Sequence, residues 1–220
     1  MQHLACDKIG YKNIVKKGKN KMAELKNAME NLQKKGYKVS MFETGQEAAS
    51  YLNEQIDGTT VAFGGMKTAE DLGLFESLSS HNEAVWHWRQ DPAEALEKAR
   101  STDVYIASAN ALAEDGTMVC IDHTGNRLSS LMYGHKKVFL VIGVNKLTDG
   151  SIEDAIWRAR NVAAPKRAVS MGRKTPCAVK PDKCYDCKSP DRLCRGMAVF
   201  MYPLAGFETE VILVNEELGM

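Results

Sequence analysis

The feature that most constrains the fold is a nearly uninterrupted apolar run at 137–144, with the sequence KVFLVIGV. Such a run is typical of a central strand in a parallel sheet covered on both faces, because both sets of alternating side chains must be buried. Shorter strand-like runs occur at 37–41, 59–63, 104–107, 117–121 and 210–214. Segments with helical periodicity alternate with these runs. We therefore predict an α/β protein with a mostly parallel sheet flanked by helices.

Apolar spacing and end signals predict where the helices lie. The first covers 13–35 and is ended by a glycine. Thr68, followed three residues later by an aspartate, resembles a capping box and predicts a helix that begins near Ala69. Pro165 predicts the end of a helix over 151–162, because proline lacks the amide hydrogen that a helix interior needs.

The composition excludes several classes of protein. The 220 residues, 44% of them hydrophobic, suffice for one domain with a substantial core. The formal net charge is +1, and the densest basic run, at 16–21, lies in a predicted helix that also carries glutamates. This favours a solvated helix face over a nucleic-acid surface. No apolar run approaches the roughly 20 residues of a membrane span, and residues 1–10 lack an apolar signal core. We therefore expect a cytoplasmic protein without nucleic-acid or membrane partners.

Three loops, at 64–68, 108–116 and 122–127, are expected to meet at the carboxyl edge of the sheet, where open α/β sheets bind ligands. Two adjacent glycines after the strand at 59–63 would let a ligand approach the backbone, and the next helix offers free amides. Arg127 would hold a carboxylate or phosphate, and Lys146 would neutralise an anion. The predicted ligand-binding residues are Gly64, Gly65, Thr68, Asn110, Arg127, Asn145 and Lys146. Simpler interpretations remain open: plain turns at Gly64–Gly65 and Asp115–Gly116, and a solvated lysine at a strand end.

A second candidate site is a group of four cysteines near the end of the chain, out of six in the whole sequence. They follow the spacing Cys177-x6-Cys184-x2-Cys187-x6-Cys194, and nearby prolines predict a loop there. Four thiolates would hold a structural zinc ion or an iron–sulfur cluster. The alternatives left open are a reversible disulfide between Cys184 and Cys187, or four reduced thiols without a metal.

Several short motifs occur in an order and spacing that resemble the LUD domain of bacterial lactate-utilisation proteins of the C type. They are Gly64-Gly65-x-x-Thr68, Leu72-Gly73, Asn110-Ala111-x-x-x-Asp115-Gly116, Gly125-Asn126-Arg127, Tyr133-Gly134-x-Lys136-x-Val138, Gly143-x-Asn145-Lys146, Asp154-Ala155-x-x-Arg158 and Ala163-Ala164-Pro165. The resemblance covers roughly 12–219 as a single domain, with 1–11 as an N-terminal tail and 172–196 as a cysteine-rich loop insertion. It implies the NagB/RpiA/CoA-transferase-like fold, whose other members act on small anionic molecules.

The chain departs from this pattern at two points. Met66 stands where the resemblance implies serine or another small residue, which removes a hydroxyl from the predicted anion site. No glutamate matches the nucleophile of the CoA transferases.

The resemblance implies a protein of lactate or related organic-acid utilisation that binds a small anionic ligand. It also implies action with oxidoreductase subunits that carry iron–sulfur clusters. A second hypothesis is a free-standing transferase, isomerase or cyclo-ligase acting on a CoA ester, a sugar phosphate or a folate. A third is a metal- or redox-sensing module without catalysis. The sequence leaves open whether the protein is an enzyme and whether it forms a homo-oligomer. Because the cysteines follow the helix that Pro165 is predicted to end, we expect them to lie away from the ligand-binding loops.

Overall fold

The computed structural model describes residues 21–220. Most of the basic run at 16–21, the start of the first predicted helix and the predicted tail 1–11 lie outside these residues. Within the described part of the chain the strands are β1 (Lys38–Phe42), β2 (Thr60–Phe63), β3 (Glu83–Val85), β4 (Val104–Ala107), β5 (Ala111–Ala113), β6 (Met118–Asp122), β7 (Lys137–Gly143), β8 (Leu147–Thr148), β9 (Gly196–Phe200) and β10 (Glu208–Val214).

The helices of the same residues lie mostly between the strands. They are α1 (Lys21–Lys34), α2 (Gly45–Gln55), α3 (Lys67–Asp71), α4 (Leu74–Leu78), α5 (Pro92–Lys98), α6 (Asn126–Met132), α7 (Ile152–Arg158), α8 (Ala164–Ser170) and α9 (Pro176–Val179). Short 3-10 turns cover Ala99–Ser101 and Val144–Lys146, and a π turn covers Ala159–Ala163. None of the helices in residues 21–220 has the length and apolar character needed to cross a membrane.

Six strands form a wholly parallel sheet in the order β1-β10-β7-β4-β2-β3. β7 is hydrogen-bonded on both sides, to β10 and to β4. The prediction of an α/β protein with a parallel sheet, and of 137–144 as its central strand, is therefore confirmed.

The side chains of β7 alternate between two hydrophobic cores. Val138, Leu140 and Ile142 pack on the face that carries α1, whereas Phe139 and Val141 pack on the face that carries α2 and α4. All five are buried. Because full burial of a side chain of this size contributes roughly 1.5–3 kcal/mol, this strand alone explains why the chain must enclose it from both sides.

A second sheet, in the order β8-β5-β6-β9, lies beside the face that carries α1. Only β6 was predicted from the sequence. The pairs β5–β6 and β6–β9 are antiparallel, and Gly116 has a φ of +85° in the turn between β5 and β6. That turn confirms the hairpin interpretation of Asp115–Gly116. β5 and β8 are too short to show the alternation that identifies a strand in a sequence.

The predicted capping box at Thr68 is wrong. Helix α3 begins at Lys67, and its N-cap residue, Met66, makes no side-chain capping bond. Thr68 is instead buried, and its hydroxyl accepts a hydrogen bond from Lys146 Nζ. A tertiary contact, which the local sequence does not encode, has taken the hydroxyl that would otherwise cap the helix.

The predicted helix end at Pro165 is also wrong. The π turn at Ala159–Ala163 follows α7 and leads into α8, so the helical path continues to Ser170. Pro165 lies in the first turn of α8, where the missing amide hydrogen costs no intrahelical bond. The wider π turn is what makes the proline compatible with a continuing helix.

Candidate functional site

A cavity of about 330 Å³ opens at the carboxyl edge of the parallel sheet. The loops that follow β2, β4 and β7 meet there because these strands are parallel and adjacent in the order β7-β4-β2. The remaining walls come from residues 87–88 after β3, from 121–127 at the end of β6 and the start of α6, from 163–173 and from the segments 193–194 and 219–220. Of the three loops predicted to meet, 64–68 and 108–116 follow β2 and β4, whereas 122–127 follows β6 of the second sheet. Residues of all three line the cavity.

Lys146 is the central basic residue of the cavity wall. It ends the 3-10 turn after β7, and only 3% of its surface is exposed. Its Nζ atom donates hydrogen bonds to Ser108 Oγ at 2.6 Å and to Thr68 Oγ1 at 3.0 Å. Burial, together with the charges of Arg158 and Arg127, lowers the pKa of Lys146 to about 7. The amine is therefore partly neutral near pH 7.

Ser108 was not among the predicted ligand-binding residues, yet it orients the amine. Its hydroxyl donates to the carbonyl oxygen of Val141 at 2.6 Å, which leaves its lone pairs to accept from Lys146. In the sequence, Ser108 could be noticed only as a small hydroxyl residue directly after the strand β4. That position alone does not distinguish it from other loop serines, because its contact with Lys146 depends on the pairing of β4 with β7.

Arg127 and Asn110, both predicted, lie together in the wall. The Arg127 guanidinium donates to Asn110 Oδ1 at 2.8 Å, to the Ile121 carbonyl at 2.6 Å and to the Ser108 carbonyl at 3.1 Å. Asn110 Oδ1 also accepts from the Ile121 amide at 2.8 Å. These bonds link α6 to the strands β4 and β6. Arg127 therefore supplies positive charge at a fixed position and braces the loop that carries Ser108.

Arg158, a second buried arginine, supports the same loops from α7. It donates to the carbonyl oxygens of Asn145, at 3.0 Å, and of Asn110. Burial lowers its pKa to about 10. Arg158 was part of a motif in the sequence, but its position beside Lys146 follows only from the packing of α7.

The two glycines after β2 allow neighbouring side chains to pack closely against the backbone. A Cβ atom at Gly65 would lie 3.2 Å from the Trp88 ring and 3.3 Å from the ring of His87. At Gly64 it would lie 3.1 Å from the Tyr105 hydroxyl and 3.2 Å from Arg127. Gly65 lines the cavity, whereas Gly64 lies behind the wall.

Asn145, although predicted to bind the ligand, does not line the cavity. Its Oδ1 atom accepts a hydrogen bond from the Leu218 amide at 3.1 Å. The neighbouring Val144 amide donates to the Glu216 carbonyl at 3.1 Å. These bonds hold the segment 216–220 against the loop after β7, and Gly219 forms part of the wall beside Lys146.

The opposite wall carries further basic groups outside the predicted ligand-binding set. Arg167, on α8, stacks over the Trp88 ring at 4.6 Å from its centroid. Arg173 Nε and His123 Nδ1 are buried and have no hydrogen-bond partner among the described residues. Burial lowers the pKa of His87, and the nearby Arg167 charge lowers it further. Unpartnered buried polar atoms at a cavity wall are those that a bound ligand would satisfy.

One acidic side chain, Asp122, occurs in the described part of the wall. Its carboxylate accepts from the amides of His123 at 2.6 Å and Leu128 at 3.0 Å, so it anchors the start of α6. The wall as a whole is therefore strongly positive.

The cysteine-rich loop does not lie away from this site, contrary to expectation. Leu193 and Cys194 line the cavity together with Arg173 from the start of the loop. The reason is that the helical path continues past Pro165 and returns the chain to the carboxyl edge of the sheet. The loop and the ligand-binding residues thus share one wall.

The thiols of the loop do not converge on a common point. In residues 21–220 no group of three or more His, Cys, Asp or Glu side chains is arranged to hold a metal ion. Cys184 Sγ instead accepts from the Asp186 amide at 3.4 Å and from Arg160 at 3.7 Å. Cys177 Sγ lies 3.3 Å from the Thr175 hydroxyl. The zinc or iron–sulfur site at Cys177, Cys184, Cys187 and Cys194 stays a prediction.

Comparison with known proteins identifies related sequences and structures. The sequence model described as the LUD domain matches residues 25–213. The fold is similar to the crystal structure of a DUF162 family protein from Deinococcus radiodurans, with a TM-score of 0.50 and 10% sequence identity. The similarity covers 90% of this chain and 99% of that chain, and at this identity it concerns the fold alone. No curated protein matches the sequence.

Proposed function

Because the chain belongs to the LUD-domain family, we propose that it binds a small organic anion of lactate or related organic-acid metabolism in the cavity described above. Four basic side chains of the wall carry this proposal: Arg127, Lys146, Arg167 and Arg173. Among the described residues, none of them forms an ion pair with a carboxylate. Lys146 is buried and the three arginines are half-buried. Charges withdrawn from water are normally paired, so an unpaired group of this size favours an anionic ligand as the missing partner.

The two sides of the cavity suggest how such a ligand would be held. Arg173 Nε lacks a partner, and Arg167 has its position fixed by Trp88. These two arginines are free to hold a carboxylate or phosphate by paired hydrogen bonds. The volume of about 330 Å³ fits a small metabolite, since small-molecule sites span roughly 300–1,000 Å³.

Calorimetric titration with L-lactate, pyruvate and inorganic phosphate tests the proposal. We expect at least one of these anions to bind, and the variants Arg167→Ala and Arg173→Ala each to lose about tenfold in affinity, or 1.4 kcal/mol. Affinity should also fall as salt concentration rises. Arg100→Ala is the matched control, because Arg100 is exposed and pairs with Glu97. Binding that is absent in wild type, or equal in wild type and both variants, would contradict the proposal.

Family membership supports a further, more specific proposal about partners. We propose that the protein acts with oxidoreductase subunits that carry iron–sulfur clusters during growth on lactate. A strain that lacks the gene should grow on lactate when given the wild-type chain and should fail with Arg167→Ala combined with Arg173→Ala. Equal growth with both chains would show that the arginines of the cavity are not required for lactate utilisation.

A further inference from the structure

The two lysines of the cavity wall have opposite surroundings. Lys67 Nζ lies 2.5 Å from Asp71 Oδ1 and 3.5 Å from Glu70 Oε2, and half of its side chain faces solvent. Lys146 Nζ is buried and has only the hydroxyl groups of Thr68 and Ser108 as its described hydrogen-bond partners. Carboxylates hold Lys67 as a charged ammonium, whereas nothing comparable holds the proton of Lys146.

The surroundings of Lys146 lower its pKa on balance. Burial contributes most to the lowered pKa of Lys146, followed by Arg158 on α7 and Arg127 on α6. Cys120 on β6 and Asp71 on α3 oppose the shift with smaller effects. A lysine that is desolvated and lies near other cations is the usual form of an amine nucleophile, because only the neutral amine has a free lone pair.

Other candidate nucleophiles of this region are less suitable. The Ser108 hydroxyl donates its proton to the Val141 carbonyl and accepts a hydrogen bond from Lys146 Nζ, so its proton points away from the neighbouring amine that could remove it. The Cys120 thiol is fully buried, and burial raises its pKa, which disfavours the reactive thiolate. Lys146 is therefore the group whose environment favours covalent chemistry.

We propose that Lys146 forms an imine with a small aldehyde or ketone that carries an anionic group, a 2-oxo acid or a phosphorylated carbonyl compound. The proposal rests on the anion site of the preceding section, because the arginines would hold the anionic group. The amine nitrogen attacks the carbonyl carbon, and one of its protons moves to the carbonyl oxygen. The resulting hydroxyl group then takes up a second proton and leaves as water, while the nitrogen gives up its remaining proton as the carbon–nitrogen double bond forms. The step needs no oxidant or reductant.

The cavity wall provides groups that orient the amine and groups that can exchange protons in this step. The hydroxyl oxygens of Thr68 and Ser108 accept hydrogen bonds from the amine and so fix its orientation. His87 and His123 line the same cavity, and the unpartnered His123 Nδ1 is available to exchange a proton with the departing hydroxyl.

Reductive trapping tests the inference. The protein is incubated separately with pyruvate, dihydroxyacetone phosphate and acetone, then treated with sodium borohydride, and adducts are located by intact-mass and peptide mass spectrometry. We expect one reduced adduct per chain, on Lys146, with one or both anionic compounds. Its yield should exceed that with uncharged acetone by at least about tenfold. The yield should rise as the pH rises through about 7, where Lys146 loses its proton.

Variants separate the role of Lys146 from unspecific reduction. Lys146→Arg and Lys146→Met should lose the adduct while keeping a native circular-dichroism spectrum. Lys67→Met should keep it, because Lys67 is held by carboxylates at the rim. If calorimetry shows anion binding but Lys146 carries no more adduct than other lysines, the imine is excluded and the anion site stands. If neither binding nor adduct is found, both proposals fail.

Discussion

Lys146 illustrates how a single residue can be placed against its own preference. A lysine without a carboxylate partner normally remains in water, and burying one costs several kcal/mol unless the amine gives up its proton. At the cavity wall, Lys146 is buried despite this loss of stability. Costs of this kind are typical of functional sites, where the geometry is set by chemistry and the surrounding core supplies the stability.

Replacing Lys146 with methionine should therefore stabilise the folded protein, and more so at about pH 6 than at about pH 9. The pKa of Lys146 is lowered from 10.5 to about 7 in the fold. Between these values the unfolded chain holds the additional proton, so wild-type stability rises with pH across this window, and below it the penalty is fully present. Methionine removes the penalty, and we expect a gain of about 1–3 kcal/mol near pH 6 in urea unfolding.

The control for this comparison is Lys67→Met. Lys67 is half-exposed, and its hydrogen bond with Asp71 raises its pKa, so its removal should not stabilise the protein at low pH. If the Lys146→Met variant is less stable than wild type near pH 6, burial of the Lys146 amine does not destabilise the fold and the prediction is wrong.

At the scale of elements, the site depends on how the strand ends are packed. β7 ends at Gly143, and the segment 216–218 runs directly against it. A Cβ atom at Gly143 would lie 2.7 Å from both the Glu216 carbonyl oxygen and the Leu218 amide nitrogen. Only glycine permits this approach, because backbone atoms cannot move aside as the end of a side chain can.

The substitution Gly143→Ala should displace the segment 216–220 from the loop that carries Lys146. We expect a loss of about 1–3 kcal/mol in unfolding free energy and weaker anion binding, because Gly219 is part of the cavity wall. Gly206→Ala is the matched control, since a Cβ atom there meets nothing within 4 Å. Its stability should stay within about 0.5 kcal/mol of wild type. Equal effects of the two substitutions would show that the close approach at Gly143 is not required.

Predictions of single strands and turns were correct where the residues of one segment were enough to identify it. The strands at 104–107 and 137–143 were recognisable from apolar runs, and Asp115–Gly116 from turn chemistry. They failed where a distant contact overrode the local pattern. Thr68 bonds Lys146 instead of capping α3, and the π turn lets the helix continue past Pro165.

At the scale of the whole molecule, the cysteine-rich loop is adjacent to the cavity. Cys194 and Arg173 belong to the wall, although they lie far along the chain from β2 and β4. A change in the loop would therefore alter the ligand site directly. The described conformation does not gather the thiols, so metal binding would have to move at least the cysteine side chains of the segment 172–196.

We predict that protein purified without oxygen carries zinc or an iron–sulfur cluster on the loop. Metal analysis and the visible absorption spectrum distinguish the two, since zinc is colourless and a cluster absorbs strongly. Cys184→Ser and Cys187→Ser should abolish binding, whereas Cys120→Ala should retain it because Cys120 lies in the core. Chelation should increase proteolysis within 172–196 and change anion affinity. Native protein with four reduced thiols and no metal would refute the prediction.

The sequence alone determined the fold class, the central strand and the family, because each depends on patterns within short segments or on their order. It also named Thr68, Asn110, Arg127 and Lys146 as residues of one site. The tertiary structure decided their roles. It buried Lys146 against Ser108 and Thr68, added Arg167 and Arg173 to the wall and brought Cys194 beside them. Burial and charge proximity arise between segments that are distant in the chain, so no local pattern records the pKa or the partner of a buried amine.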